Sequence, residues 1–190
     1  MHIISKLINL KIFSMKKNLT TILMLMAMLA ISCGGGSSEG KKSGMKMKSP
    51  EKIAKLNPDE FANDVNEIYV GAFKNLEKLL DKYPEINADF EAEFDAMYEE
   101  AIKKMIVYGG VMDKMDQETD NKYSLKIASK TMGDGMSKIT PVQQKFNERI
   151  NEFSNELYSK VQSMNTMLRF LDFDKMKSKH ANEAEKYGIK

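Results

Sequence analysis

The chain is expected to fold as an all-α protein, an antiparallel helical bundle of about three long helices plus one shorter helix. Three observations carry this. Apolar residues recur at steps of three and four over long stretches, which places them on one face of a helix. Helix-start signals stand where those stretches begin, as in Asn57-Pro58-Asp59-Glu60. No stretch alternates polar and apolar residues in the way a half-buried strand requires.

The elements follow in order. Ser49-Pro50 opens one short turn ending near Leu56. The first long helix starts at Asn57 as N-cap, with Pro58 first and Glu60 third, and buries Phe61, Val65, Ile68, Ala72, Leu76, Leu79 and Tyr83. Pro84 disfavours helical geometry at Tyr83 and ends it. Asn87 caps the second helix, whose face is Phe90, Phe94, Met97, Ala101, Met105, Tyr108, Met112 and Met115. Its early acids and later Lys103 and Lys104 suit the helix dipole. Gly109-Gly110 inside this pattern marks either a kink or a close approach by another helix. Asp113 to Asn121 reads as a polar stretch containing a turn. A weaker third helix from about Tyr123 is expected to turn Leu125, Ala128 and Met132 inward and to break at Gly133-Asp134-Gly135. Thr140-Pro141-Val142-Gln143 reads as a capping box opening the last long helix, with Val142, Phe146, Ile150, Phe153, Leu157, Val161, Met164, Leu168 and Leu171 on one face. From Phe173 to Tyr187 the pattern is thin, although helix is able to continue there.

The segment ahead of these helices is of another kind. Lys16-Lys17 precede 13 apolar-rich residues, Leu19 to Ile31, and then Ser32 and Cys33, the chain's single cysteine. At about 1.5 Å per residue the apolar run spans roughly 20 Å, short of the roughly 20 residues a spanning helix needs. A positive start, a short apolar run and a small residue before the cut describe a secretory signal, residues 1–32. Met15 is a natural start for it; alternatively residues 1–14 are an unusually long leading region to which Lys6 and Lys11 add charge. Leu29-Ala30-Ile31-Ser32-Cys33 resembles the lipobox of bacterial lipoproteins, although that family's pattern prefers leucine where this chain has Ala30. The resemblance covers those residues only. It implies cleavage before Cys33, lipidation of Cys33 with a diacylglycerol on sulfur and often an acyl chain such as palmitate on the amine, and anchoring in the cell envelope outside the cytoplasm, at the outer membrane or cell surface rather than the inner membrane. Two or three acyl chains anchor stably where one binds marginally. Residues 33–48 read as a flexible linker rich in Gly and Ser, made basic by Lys41, Lys42, Lys46 and Lys48. Its lysines are a solvated tether or, alternatively, an attraction to anionic headgroups.

The bundle domain is then 49–190. The whole chain carries +2, but residues 1–32 hold four lysines and no acids, so the remaining 158 residues have 25 basic and 27 acidic side chains. That balance gives no basic footprint for nucleic acid. With Cys33 acylated there is no thiol for disulfides, thiolate metal sites or cysteine catalysis. No P-loop, dinucleotide fingerprint or Gly-x-Ser-x-Gly is present. No enzyme activity and no cofactor beyond the lipid are expected. Asp116-Gln117-Glu118-Thr119-Asp120 places oxygens at three calcium-loop positions, but Asn121 and Ile127 stand where that loop needs Gly and Glu. His180 and Glu183 lie one turn apart, a poor metal site alone.

Glu91, Asp95 and Glu99 line up at four-residue spacing. Like charges so placed repel, which makes them candidate contacts for a cation or a basic partner. Met105, Met112, Met115, Met132, Met136, Met164 and Met167 are core filler or, alternatively, a flexible binding end. In an up-down-up-down order, the seven acids from Glu85 to Glu100 form an acidic distal tip, while the tether and Lys175, Lys177 and Lys179 sit at the membrane end. The expected function is that of a non-catalytic binding module with a protein partner at the tip. The alternatives are an envelope assembly accessory that self-associates, or a small-ligand carrier with an apolar pocket.

Overall fold

The computed structural model describes residues 47–190. The leader, Cys33 and most of the tether lie outside the described residues. Among the described residues there are helices and no strand: α1 (Pro50–Ile53), α2 (Pro58–Lys82), α3 (Ala88–Met112), α4 (Gln117–Lys130), a π-helical turn (Thr131–Gly135), α5 (Met136–Glu148), α6 (Asn155–Ser163), α7 (Phe173–Lys179) and α8 (Ala181–Lys186), with 3-10 turns at Ile150–Glu152 and Met164–Leu171. This is the all-α helical bundle expected from the periodicity.

The first two rods form as their caps require. Asn57 accepts from the N–H groups of Asp59 and Glu60, and the Glu60 carboxylate returns to the Asn57 N–H, so both halves of the capping box are made. Asn87 accepts from Asp89 and Phe90. The rods are antiparallel: Asp64 near the start of α2 meets Tyr108 near the end of α3, and Lys82 at the end of α2 meets Glu93 near the start of α3. Phe61, Val65, Leu76, Phe90, Phe94, Met105 and Tyr108 are buried between them and their neighbours.

The second half departs from expectation. α4, the π turn and α5 form one continuous rod from Gln117 to Glu148. The turn expected within Asp113 to Asn121 is made at 113–115, and α4 starts at Gln117 rather than at about Tyr123, because Asp116 caps it by accepting from the Thr119 N–H. Gly133-Asp134-Gly135 does not break the helix; it sits in the π turn, which absorbs the extra residue without releasing the ladder. Thr140 is not an N-cap either. Its hydroxyl donates back to the Met136 carbonyl inside α5, and Pro141 is held within the helix by the burial of Ile139, Val142 and Phe146 around it. The inward residues of α4 are Tyr123 and Ile127, not Leu125, Ala128 and Met132. Leu125 and Met132 are 71% and 78% exposed.

The expected last long helix is divided at Phe153, which is extended, and restarts at Ser154, which caps α6. Arg149 explains the break. Its guanidinium donates to the carbonyls of Leu80, Tyr83 and Pro84 at 2.8, 2.8 and 3.0 Å, occupying acceptors that the end of α2 leaves without partners. The chain is thereby pinned at the far end before it descends. It then follows α3 in parallel, with Lys160 beside Glu91 and Asp95, Ser163 beside Tyr98, and Phe170 beside Gly109. The rods run up, down, up and down, but the third packs beside α2 and the fourth beside α3. The segment from Phe173 onward forms α7 and α8, which fold back so that Tyr187 reaches Glu99 in the middle of α3.

Of the two readings of Gly109-Gly110, Gly109 fits close approach. A Cβ there would stand 2.3 Å from the Phe170 carbonyl oxygen and 2.7 Å from the Phe173 ring, so the fourth rod lies against bare backbone.

Candidate functional site

Three places on the bundle gather chemistry-bearing or unpartnered side chains. The first is the carboxylate row on α3. Helical spacing aligns Glu91, Asp95 and Glu99 as expected, and the fourth rod lays the chain's own cations along them. Lys160 Nζ donates to Glu91 at 3.0 Å and Asp95 at 3.1 Å, with Glu156 at 3.7 Å. Its hydrogen bonds to Glu91 and then Asp95 raise the Lys160 pKa. Glu99 accepts from the Tyr187 hydroxyl at 2.7 Å and lies 3.4 Å from Lys186 Nζ. Burial, with Glu99 as a lesser cause, pushes the Tyr187 hydroxyl up to about 12. Glu93 is held by Lys82 and Tyr83, which lower its carboxyl below the usual range. Of the seven acids from Glu85 to Glu100, five have a cation of this chain within 4 Å; Glu85 and Asp89 have none among the described residues. The row is therefore a seam between rods as well as a surface.

The second is the base, the end of the bundle at which the described residues begin. Asp64 is buried on α2 and accepts from Tyr108 at 2.8 Å and from Lys48 at 2.6 Å. Burial, then the neighbouring Asp64 carboxylate, raises the Tyr108 pKa. Lys48, at the start of the described residues, is thereby held to α2. Tyr123 donates to the Leu56 carbonyl at 2.7 Å and packs edge-on to Phe61, closing the same end. By composition alone Lys48 belongs with the flexible linker. An acid such as Asp64, one step off the apolar face of α2, was the available signal for a buried partner.

The third is the outward face of the third rod. Leu125, Met132 and Met136 recur there at steps of seven and four and are 71%, 78% and 38% exposed. Ala128, Ser129 and Gly133 lie among them and are exposed too.

The other candidates fall as follows. Asp116 and Thr119 form the cap of α4, and their hydrogen bonds lower the Asp116 carboxyl. His180 is exposed between α7 and α8, while Glu183 is taken by Arg169 in a pair of bonds at 2.9 and 2.7 Å. Among the described residues no three His, Cys, Asp or Glu side chains cluster as metal ligands do. Met105, Met112, Met164 and Met167 are buried in the core, whereas Met132 and Met136 are exposed, so the methionines do not share one end. A cleft of about 140 Å³ lies between α2, α5 and α6, lined by Phe73, Leu76, Gln143, Phe146, Val161 and Asn165 among others. A shallower one of about 280 Å³ lies beside α8. Neither is lined by methionine. No described helix is long and apolar enough to cross a membrane.

No family model matches the chain, and no curated protein or solved structure shows significant similarity to it.

Proposed function

We propose that the chain is a lipid-anchored protein of the bacterial cell envelope whose helical domain is a non-catalytic interaction module. The anchoring half of this reading rests on the lone Cys33 behind a 13-residue apolar run. The interaction half rests on one observation: the domain leaves Leu125, Met132 and Met136 exposed along one rod, with the small residues Ala128, Ser129 and Gly133 among them. Exposed apolar stripes of this kind mark interaction sites more often than scattered surface residues do. The pairing of α3 acids with Lys160, Lys186 and Lys82 supports a structural use for that row and moves the preferred contact from the acidic tip to α4. The buried methionines support core filling over a carrier pocket.

The experiment is chemical and cellular together. Mass spectrometry of the mature N-terminal peptide detects a diacylglycerol thioether on Cys33, and Cys33→Ala releases the domain from the membrane fraction. Protease treatment of intact cells then reports the side: cleavage without lysis places the domain on the outer surface, protection places it within the envelope. A domain that stays soluble and unlipidated with Cys33 present overturns the anchoring.

A further inference from the structure

We infer that the outward face of α4 and the π turn is a two-fold interface between two copies of this chain, paired antiparallel about a point between Ala128 and Ser129. This rests on the interaction-module reading and names its partner.

The face is self-complementary. An antiparallel two-fold at that point sets Leu125 of one copy against Met132 of the other, since both lie equally far from it. Small residues, Ala128 and Ser129, stand at the crossing, where two helix backbones come closest. The charges match as well. Glu118 of one copy falls opposite Lys138 of the other to within one residue, or about 1.5 Å of rise; Lys122 falls as near to Asp134, a carboxylate that Lys130 of its own copy already holds. Among the described residues Glu118, Lys122 and Lys138 take part in no ion pair within the chain. Lys126 and Lys130, which approach their counterparts near the centre, already carry Asp59 at 2.8 Å and Asp134 at 2.6 Å. That relieves the like-charge repulsion an isologous contact would otherwise meet. The same two pairs neutralise Lys126 and Lys130, two of the four lysines that the alternative, an anionic lipid surface, would use.

The test uses the full 190-residue chain with Cys33→Ser, so that an introduced cysteine is the only thiol. Ser129→Cys, beside the axis, forms a disulfide-linked dimer on mild oxidation. Ser137→Cys, some 17 residues from its own copy along the paired helices and so about 25 Å away, does not. Circular dichroism confirms that both variants fold. In sedimentation, Glu118→Lys or Lys138→Glu alone weakens the dimer, Met132→Ser weakens it by about tenfold or more, and the Glu118→Lys, Lys138→Glu double variant recovers. Equal linking at both positions, a monomer at all concentrations, or a double swap weaker than either single one overturns the proposal. So does a monomer that binds anionic vesicles through Leu125 and Met132. A photo-cross-linker at position 132 in cells separates the two readings. A discrete foreign protein with no self-link overturns the dimer and leaves the interaction module standing; no protein link at all overturns both.

Discussion

Replacing Gly109 by alanine tests the seam between α3 and the fourth rod. In an unobstructed helix interior, glycine to alanine gains about 1 kcal/mol. At Gly109 the new Cβ meets the Phe170 carbonyl oxygen at 2.3 Å, the Phe173 ring at 2.7 Å and Leu171 Cα at 3.1 Å. Ordinary carbon contacts lie at about 3.5 Å or more, so the nearest atom must retreat by roughly an ångström. Two of the three obstacles are backbone, which a rotamer change does not clear. Overpacking of this kind costs about 1 to 3 kcal/mol or more, and the expected net is a loss of about 1 to 2 kcal/mol. Gly71 is the control, because nothing lies within 4 Å of its added Cβ; Gly71→Ala should gain about 0.5 to 1 kcal/mol. Gly110, next in sequence, meets only the Phe173 ring at 3.7 and 3.8 Å, ordinary contact, and should tolerate alanine. At about 2 to 4 °C per kcal/mol for a domain of this size, the Gly71 and Gly109 variants should melt about 3 to 12 °C apart, with Gly109→Ala below the parent. Thermal unfolding followed by circular dichroism reads this directly. Melting of Gly109→Ala at or above Gly71→Ala would refute the seating of the 3-10 segment on α3.

Phe170 is fully buried and Leu125 is not, so Phe170→Ala should cost about 3 to 5 kcal/mol, while Leu125→Ala in the monomer stays within about 0.5 kcal/mol; urea titration measures both, and comparable losses would restore Leu125 to the core. Lys160→Ala leaves Glu91 and Asp95 facing each other without their shared cation. The loss should be about 1 kcal/mol and shrink in high salt, because the group is partly exposed and screened; a loss independent of salt would count against an ionic seam. Burial raises the hydroxyl pKa values of Tyr69, Tyr108 and Tyr187 in the fold. A folded pKa above the unfolded value, about 10, contributes stability that is complete below pH 10 and is lost as pH rises through the folded values. Phenolate absorbance should therefore show Tyr69, Tyr108 and Tyr187 ionising late, together with loss of helicity. Ionisation of these three at about pH 10 with helicity intact would contradict that.

The first half of the domain was legible because local signals and burial agree there. The Asn57 and Asn87 caps, the break at Pro84 and the faces of α2 and α3 all point one way. In the second half, two apolar periods compete in α4: Leu125, Ala128 and Met132 on one side, Tyr123, Ile127 and Thr131 on the other. Tertiary packing against α2 selects the second, with Thr131 accommodated by donating to the Ile127 carbonyl. Glycine and proline signals at 133–135 and 140–141 suggested boundaries, yet a π turn and a buried face carried the rod through. In the last rod the apolar residues also fit helical steps, whereas the fully buried ones are Met164, Met167 and Phe170. A step of three is the 3-10 period, and it was present in the sequence. The break at Phe153 depends on Arg149 reaching the carbonyls of a rod more than 60 positions earlier, which no local pattern reports. The α3 carboxylate row was readable as a row. Its cations were not, because Lys160 and Lys186 reach it only through the long-range path of the fourth rod.

The surface of the described residues has stretches that the chain covers with its own cations and an apolar stretch on the third rod that it leaves exposed. The α3 acids and the base at Asp64 are closed by Lys160, Lys186 and Lys48, whereas α4 presents apolar side chains outward.

Methionine oxidation tests that division most directly. Brief peroxide treatment followed by peptide mass spectrometry should oxidise Met132 quickly in dilute purified protein and leave Met105, Met164 and Met167 intact, following their exposure. In concentrated protein and in cells, Met132 should become protected while the buried three stay unchanged. Slow oxidation of Met132 in the dilute protein would contradict the outward face, and equally rapid oxidation in all three settings would contradict its use as an interaction surface.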